Sequence, residues 1–210
     1  MFDIPSLREI IISVPPFLLA LSFHEFAHAW AADKMGDPTP RNAGRLTLNP
    51  LAHLDVLGTI LLILYRFGWA KPVPVNPLNF HNIRRGEFLV SIAGPASNIL
   101  LACIGMAILS LIYRFGLSFV PASLLDMTGL FVWINIILAV FNMIPLPPLD
   151  GSHVLESILP SKYAHYFDKI AVYGPVILMV LVFTNVFRYV IIPIASFIFL
   201  ILGRIFFLPM

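Results

Sequence analysis

The sequence predicts an all-α polytopic membrane protein: five to six membrane helices, a core of three, a short re-entrant or interfacial segment, and small extended elements between the first two core helices. Three observations predict it. Hydrophobic residues make up 59% of the 210 residues and charged ones 11%, against roughly 25% charged in an average soluble domain. The mean hydropathy is +0.91. Apolar runs also recur along the whole chain, at about Leu7–Ala32, Leu54–Phe67, Phe88–Phe115, Leu125–Ile144, Ile170–Phe187 and Tyr189–Phe207, and a spanning helix needs about 20 mostly apolar residues.

Taken in order, the first run follows "MFDIPSLRE", whose Asp3 and Glu9 outweigh Arg8, so it does not read as a cleaved leader. Leu54–Phe67 is too short for an ordinary crossing. Seven of the thirteen basic residues, Lys34, Arg41, Arg45, Arg66, Lys71, Arg84 and Arg85, lie between the first run and "SIAGPASN". The positive-inside tendency therefore puts that connection in the cytoplasm and the N-terminus outside. Leu54–Phe67 then begins and ends on one side, which makes it re-entrant or interfacial. The turn-rich stretches "GDPTPRNAGRLTLNPLAHLD" and "GWAKPVPVNPLNFHNIRRGE" flanking it read as short extended segments. The loop from Pro145 to Lys169 returns to the cytoplasmic side, and the last two runs form a hairpin over about residues 170–208. No repeat, low-complexity tract or flexible linker divides the chain, so residues 1–210 read as one domain with its core at about 7–155. The single cysteine, Cys103, excludes an intramolecular disulfide. A net charge of +2 says little by itself; the apolar composition makes a lipid bilayer the expected partner, and no nucleic acid is expected.

Within the first run, "LSFHEFAHAWAA" places three ionisable groups in a membrane helix, where such groups are expensive and usually functional. His24 and His28 are four apart and share a helix face, so both can bind one metal ion. Glu25 lies on a neighbouring face, within reach of water at the metal, which is the H-E-x-x-H arrangement with glutamate as general base. A zinc site that performs chemistry commonly has a third protein ligand and an open position. Asp150 in "FNMIPLPPLDGSHVL" is the candidate: prolines 145, 147 and 148 break an apolar helix on the same membrane side, and Gly151 permits a tight turn. A solvated Asp-Gly turn is the plain alternative.

Three elements, "HEFAH", "AGPASN" and "NMIPLPPLDG", taken in this order, resemble the site-2 protease family of intramembrane zinc metalloproteases over about residues 18–155. "GRLTLNPLAHLDVLGT" with "GWAKPVPVNP" is similar to its compact subgroup, without PDZ or CBS domains. The resemblance implies one Zn2+ per chain held by His24, His28 and Asp150, with Glu25 activating water. It also implies a transmembrane protein substrate, cleavage within the cell (plasma or inner) membrane, and a site opening toward the cytoplasm. Self-association is compatible with it. Ser152–His153 stands where many members have a second glycine.

Asn142 and Asn98 are candidates for supporting the ligands or contacting the substrate backbone; Asn142 can equally satisfy backbone groups freed by Pro145. Gly94 and Ala96 read as close-packing positions. His53, beside Asp55, reads as a loop hydrogen-bonding residue, the alternatives being a guard of the site entrance or a second metal site, and His153 is near enough in sequence to Asp150 to support it. An extended edge in Arg41–Asp55 or Lys71–Phe80 can add a strand to an unwound substrate. Two other classes compete: an intramembrane metal transporter or sensor, and a catalytically silent membrane interaction protein. A transporter has no evident need for Glu25, and the last two helices carry few polar groups for a pathway.

Overall fold

The computed structural model describes residues 6–59, 69–160 and 164–207. Helix α1 spans Leu7–Lys34 and begins in a capping box: the Ser6 hydroxyl accepts from the Glu9 N–H, and the Glu9 carboxylate accepts from the Ser6 N–H at 2.7 Å. A short helix, α2, covers Thr39–Asn42. After two single 3₁₀ turns at Pro50–Ala52 and Pro77–Asn79, α3 runs from Ile83 to Arg114, with Asn82 capping the Arg85 N–H. Helix α4 spans Ala122–Asn142, α5 Asp150–Ile158, α6 Ala164–Phe183 and α7 Val186–Ile205. Among the described residues there is no strand. The expected extended elements reduce to one antiparallel bridge, Leu54 with Ala70, because prolines at 72, 74 and 77 remove the N–H groups a longer ladder needs.

Helices α1, α3, α4 and Arg188–Ile205 are long and apolar enough to cross a membrane, and Lys169–Phe183 is a shorter apolar helix. Large apolar side chains such as Leu100, Ile104, Leu111, Val176 and Phe197 are exposed along them, as a lipid-facing surface requires. Lipid gives helices little hydrophobic reason to associate, so small residues must let them approach. Ala20, Ala29 and Ala32 of α1, Ala102 of α3 and Ala195 of α7 are completely buried. One core joins Ala102, Met106 and Leu109 of α3 to Val132 and Ile136 of α4 and Leu202 of α7; another joins Ala31 and Ala32 to Phe80 and Val90.

Helices α1 and α3 pack against each other and against α4, while α5 rests on α3 and α7 on α4. The chain leaves α1 and enters α3 at one end of this bundle, where the His81 N–H donates to the Met35 carbonyl at 3.0 Å. The turn from α4 into α5 lies at that end too, and Arg8 meets Asp126 at 3.9 Å at the other. Residues 60–67 of the expected re-entrant segment lie outside the described residues. Its flanks, Gly58 and Trp69, are packed so closely that a Cβ on Gly58 would strike the Trp69 backbone.

The polar connection is tied to α1 through Asp37. This completely buried carboxylate accepts from the Thr39 N–H (3.1 Å) and hydroxyl (2.5 Å), the Asn76 N–H (2.7 Å) and the Asn79 amide (2.8 Å). Gly36, at φ +106°, makes the turn before it, where a Cβ would stand 2.8 Å from the His81 ring. Burial alone raises the Asp37 pKa, but the Asn79, Thr39 and Asn76 hydrogen bonds outweigh it and hold the carboxyl below its ordinary 3.8. The stabilisation is therefore complete above about pH 4 and is lost as pH falls through the lowered folded-state value. Asp37→Ala is expected to destabilise the connection by about 2–4 kcal/mol, since it strands several donors. In detergent melts from pH 6 down to pH 3, Asp37→Asn should show a shallower acid loss than wild type.

Candidate metal centre

His24 stands ten residues before the end of α1 at Lys34, about 15 Å down the helix at 1.5 Å per residue. His24, Glu25 and His28 are all buried there. Their neighbours come from α3. The His28 Nδ1 lies 2.8 Å from the Val90 carbonyl, which can only accept, so Nδ1 carries the hydrogen. The Asn98 Oδ1 lies 2.7 Å from His24 Nδ1, and the orientation of that amide is fixed by what its nitrogen does. The Asn98 Nδ2 donates to the Ala20 carbonyl (3.1 Å) and to the Asn135 Oδ1 (2.8 Å), and Asn135 in turn donates to the Phe131 carbonyl. His24 Nδ1 is therefore a donor as well.

In both neutral rings the Nε2 lone pair is consequently free, and the two Nε2 atoms face each other at 3.0 Å. The Asp150 Oδ2 completes the triangle at 3.3 Å from each. It is buried and has no hydrogen-bond partner. Three lone-pair atoms turned toward one point repel unless a cation stands between them. Ligand atoms around tetrahedral zinc are about 3.3 Å apart. His24, His28 and Asp150 thus fit a zinc ion; among the described residues they are the one group of three or more His, Cys, Asp or Glu residues so placed.

The space for the pair is made by Gly94 in "AGPASN". A Cβ there would stand 2.6 Å from His24 Cε1 and closer still to His28 Nε2. Asp150 opens α5 after the Pro145–Pro148 turn, with the Pro147–Pro148 bond cis. Gly151 packs against the Met143 and Ile144 backbone with no room for a side chain. At the far end of α5 the Arg84 guanidinium, on the first turn of α3, donates to the carbonyls of Ser157, Ile158 (2.5 Å) and Leu159 (2.8 Å). These last carbonyls have no helical partner of their own.

Glu25 makes no side-chain hydrogen bond to a described residue, and its negative charge acts on the buried Arg45. The remaining sequence candidates lie apart. Asn142 donates to the Leu138 carbonyl of its own helix at 3.0 Å. His153 is largely exposed and faces Glu156 at 3.9 Å. His53 is completely buried, and its Nε2 donates to the Thr47 carbonyl at 2.8 Å. Sequence reasoning did not single out Asn135, Arg45 or Arg84. For Asn135 the signal was present, as a polar residue within the apolar run "FVWINIILAVF".

A membrane helix bundle enclosing a His-His-Asp cluster beside a buried glutamate is the architecture of a membrane-embedded metallopeptidase. Comparison with known proteins agrees. The model of "Peptidase family M50" matches residues 112–182, which include Asp150. The chain is 43% identical over 190 residues to YwhC of Bacillus subtilis, covering 87% of each chain. It is 32% identical over 180 residues to Rip2 of Mycolicibacterium smegmatis, covering 83% of this chain and 67% of that one. A Methanocaldococcus jannaschii relative is 32% identical over 152 residues, covering 72% of each. All three relatives bear the name "Putative zinc metalloprotease". No solved structure gives a significant match. The chain belongs to peptidase family M50, the site-2 protease family, and is a multi-pass membrane zinc metallopeptidase.

Removing the Asn98 amide frees the His24 ring, so Asn98→Ala should weaken zinc binding by about 10–100-fold in a chelator competition titration. Gly94→Ala should lower zinc occupancy further, as its methyl group enters the space of both imidazoles.

Proposed function

We propose that this protein is an intramembrane protease that cleaves peptide bonds in transmembrane segments of other membrane proteins. His24, His28 and Asp150 would hold zinc, and Glu25 would be the general base. The observation that carries this reading is the convergence of three unpaired lone-pair atoms at membrane-helix depth, beside a carboxylate with no side-chain hydrogen bond to a described residue. When bound, zinc supplies the positive charge that acidifies water and polarises a peptide carbonyl.

The chain's own residues do the rest. Glu25 takes the proton of the attacking water; as the tetrahedral carbon collapses and the C–N bond breaks, Glu25 delivers that proton to the leaving amine. Asn98 and the Val90 carbonyl hold the two imidazoles with their hydrogens turned away from the reaction. In this reading, Glu25 stays ready for proton transfer because no described neighbour occupies its oxygens. A transporter gains nothing from such a carboxylate placed between two ligands.

Substrate and water would arrive from the end of the bundle that carries the polar connection. Its basic residues make that the cytoplasmic side and put the N-terminus outside. The extended stretch at Lys71–Asn76 offers backbone to a locally unwound substrate, the Val73 and Val75 N–H groups having no backbone partner among the described residues.

The test is reconstitution of purified protein with a labelled transmembrane substrate. Glu25→Gln should keep the wild-type zinc content and lose cleavage by about 10²–10⁴-fold, the range general-base catalysis supplies. Equal cleavage by the two proteins would overturn the assignment.

A further inference from the structure

Arg45 is 5% exposed, an unusual place for an arginine without a carboxylate at hydrogen-bond distance. Its guanidinium is committed to backbone instead. Nη1 donates to the Pro72 carbonyl at 3.1 Å, and Nη2 donates to the Lys71 carbonyl. The same Nη2 lies 3.3 Å from His53 Nδ1, which is an acceptor because Nε2 already donates to Thr47. The buried Nε has no partner. Burial lowers the pKa of the group below the ordinary arginine range, and the charge of Glu25 pulls it partly back. A guanidinium with no ion pair among the described residues is thus kept out of water, near enough to α1 for the charge of Glu25 to act on it.

What Arg45 holds is one end of the extended stretch described above. The Lys71 N–H donates to the His53 carbonyl at 2.9 Å, and Leu54 bridges Ala70. Six residues on, Asp37 holds the Asn76 N–H. Between these ties lie Val73, Pro74 and Val75, and the turn bearing His53 rests on α1, the helix of the histidine pair. Three acceptors on one planar fork fix the direction of the edge as well as its place.

We propose that Arg45 is a positioning residue for the protease reaction, fixing the backbone edge at Lys71–Pro72, in the stretch whose Val75 packs against the cluster of Ala31, Ala32 and Val90, so that substrate meets the site in one register. This rests on the protease reading above. Lysine cannot substitute fully, because one ammonium lacks the planar fork that spans both carbonyls and the His53 ring.

The experiment compares reconstituted wild type, Arg45→Met and Arg45→Lys for zinc content, for KM and kcat on a transmembrane substrate, and for amide hydrogen exchange over residues 69–76. Arg45→Met should raise KM about 10–100-fold, the scale of a small misplacement of substrate, with kcat changed much less and zinc content intact. Exchange at Lys71 should quicken, and Arg45→Lys should fall between. If Arg45→Met does not fold, Arg45→Lys carries the same test with smaller effects. Unchanged KM together with unchanged exchange would overturn the proposal. So would an activity loss that tracks zinc loss while residues 69–76 exchange as in wild type. Failure of the protease reading is seen separately, as cleavage that survives Glu25→Gln; the exchange data report on the clamp in either case.

Discussion

The site depends on where two hydrogens are. Because the Val90 carbonyl and the Asn98 oxygen each take an Nδ1 hydrogen, both imidazoles turn their Nε2 lone pairs inward, toward each other and toward Asp150. Inside a membrane bundle there is little water to soften that repulsion. Folding therefore builds an arrangement that is unfavourable by itself and favourable around a divalent cation. The hydrogen bonds that fix the tautomers orient the two imidazoles, and they come from a different helix than the histidines do.

That division of labour explains the packing. The histidine pair projects from α1, but the space it occupies exists because Gly94 of α3 has no side chain. Asp150 arrives from a third direction, brought by the proline-broken turn between α4 and α5. The amide of Asn98 reaches both the α1 backbone at Ala20 and Asn135 of α4, so one buried side chain joins all three core helices. Buried amides of this kind need every donor and acceptor matched, which gives the bundle a single register.

Much of this could be read from the chain. Composition and the length of the apolar runs gave the membrane class. The four-residue spacing of His24 and His28 gave a shared face, and the small residues of "AGPASN" marked a close helix approach. Asp150 could be nominated because prolines announce where a helix must break. The extended connection was less legible: its composition favours strands, yet its prolines leave too few donors, and among the described residues only the Leu54–Ala70 bridge forms. Arg45 and Arg84 could not be found this way, since an arginine aimed at backbone carbonyls has no partner with a sequence signature. His53 shows the converse, a conspicuous histidine whose ring is absorbed in holding a loop together.

Helix α3 carries the Val90 carbonyl, Gly94 and Asn98 at successive four-residue steps along one stripe, and Arg84, near its start, secures the far end of the helix that bears Asp150. His24, His28 and Asp150 are thus all referenced to a single rod. Turning that rod by one residue, about 100°, would withdraw the carbonyl, the gap and the amide together. The facing of α1 and α3 is therefore set by the same residues that shape the centre.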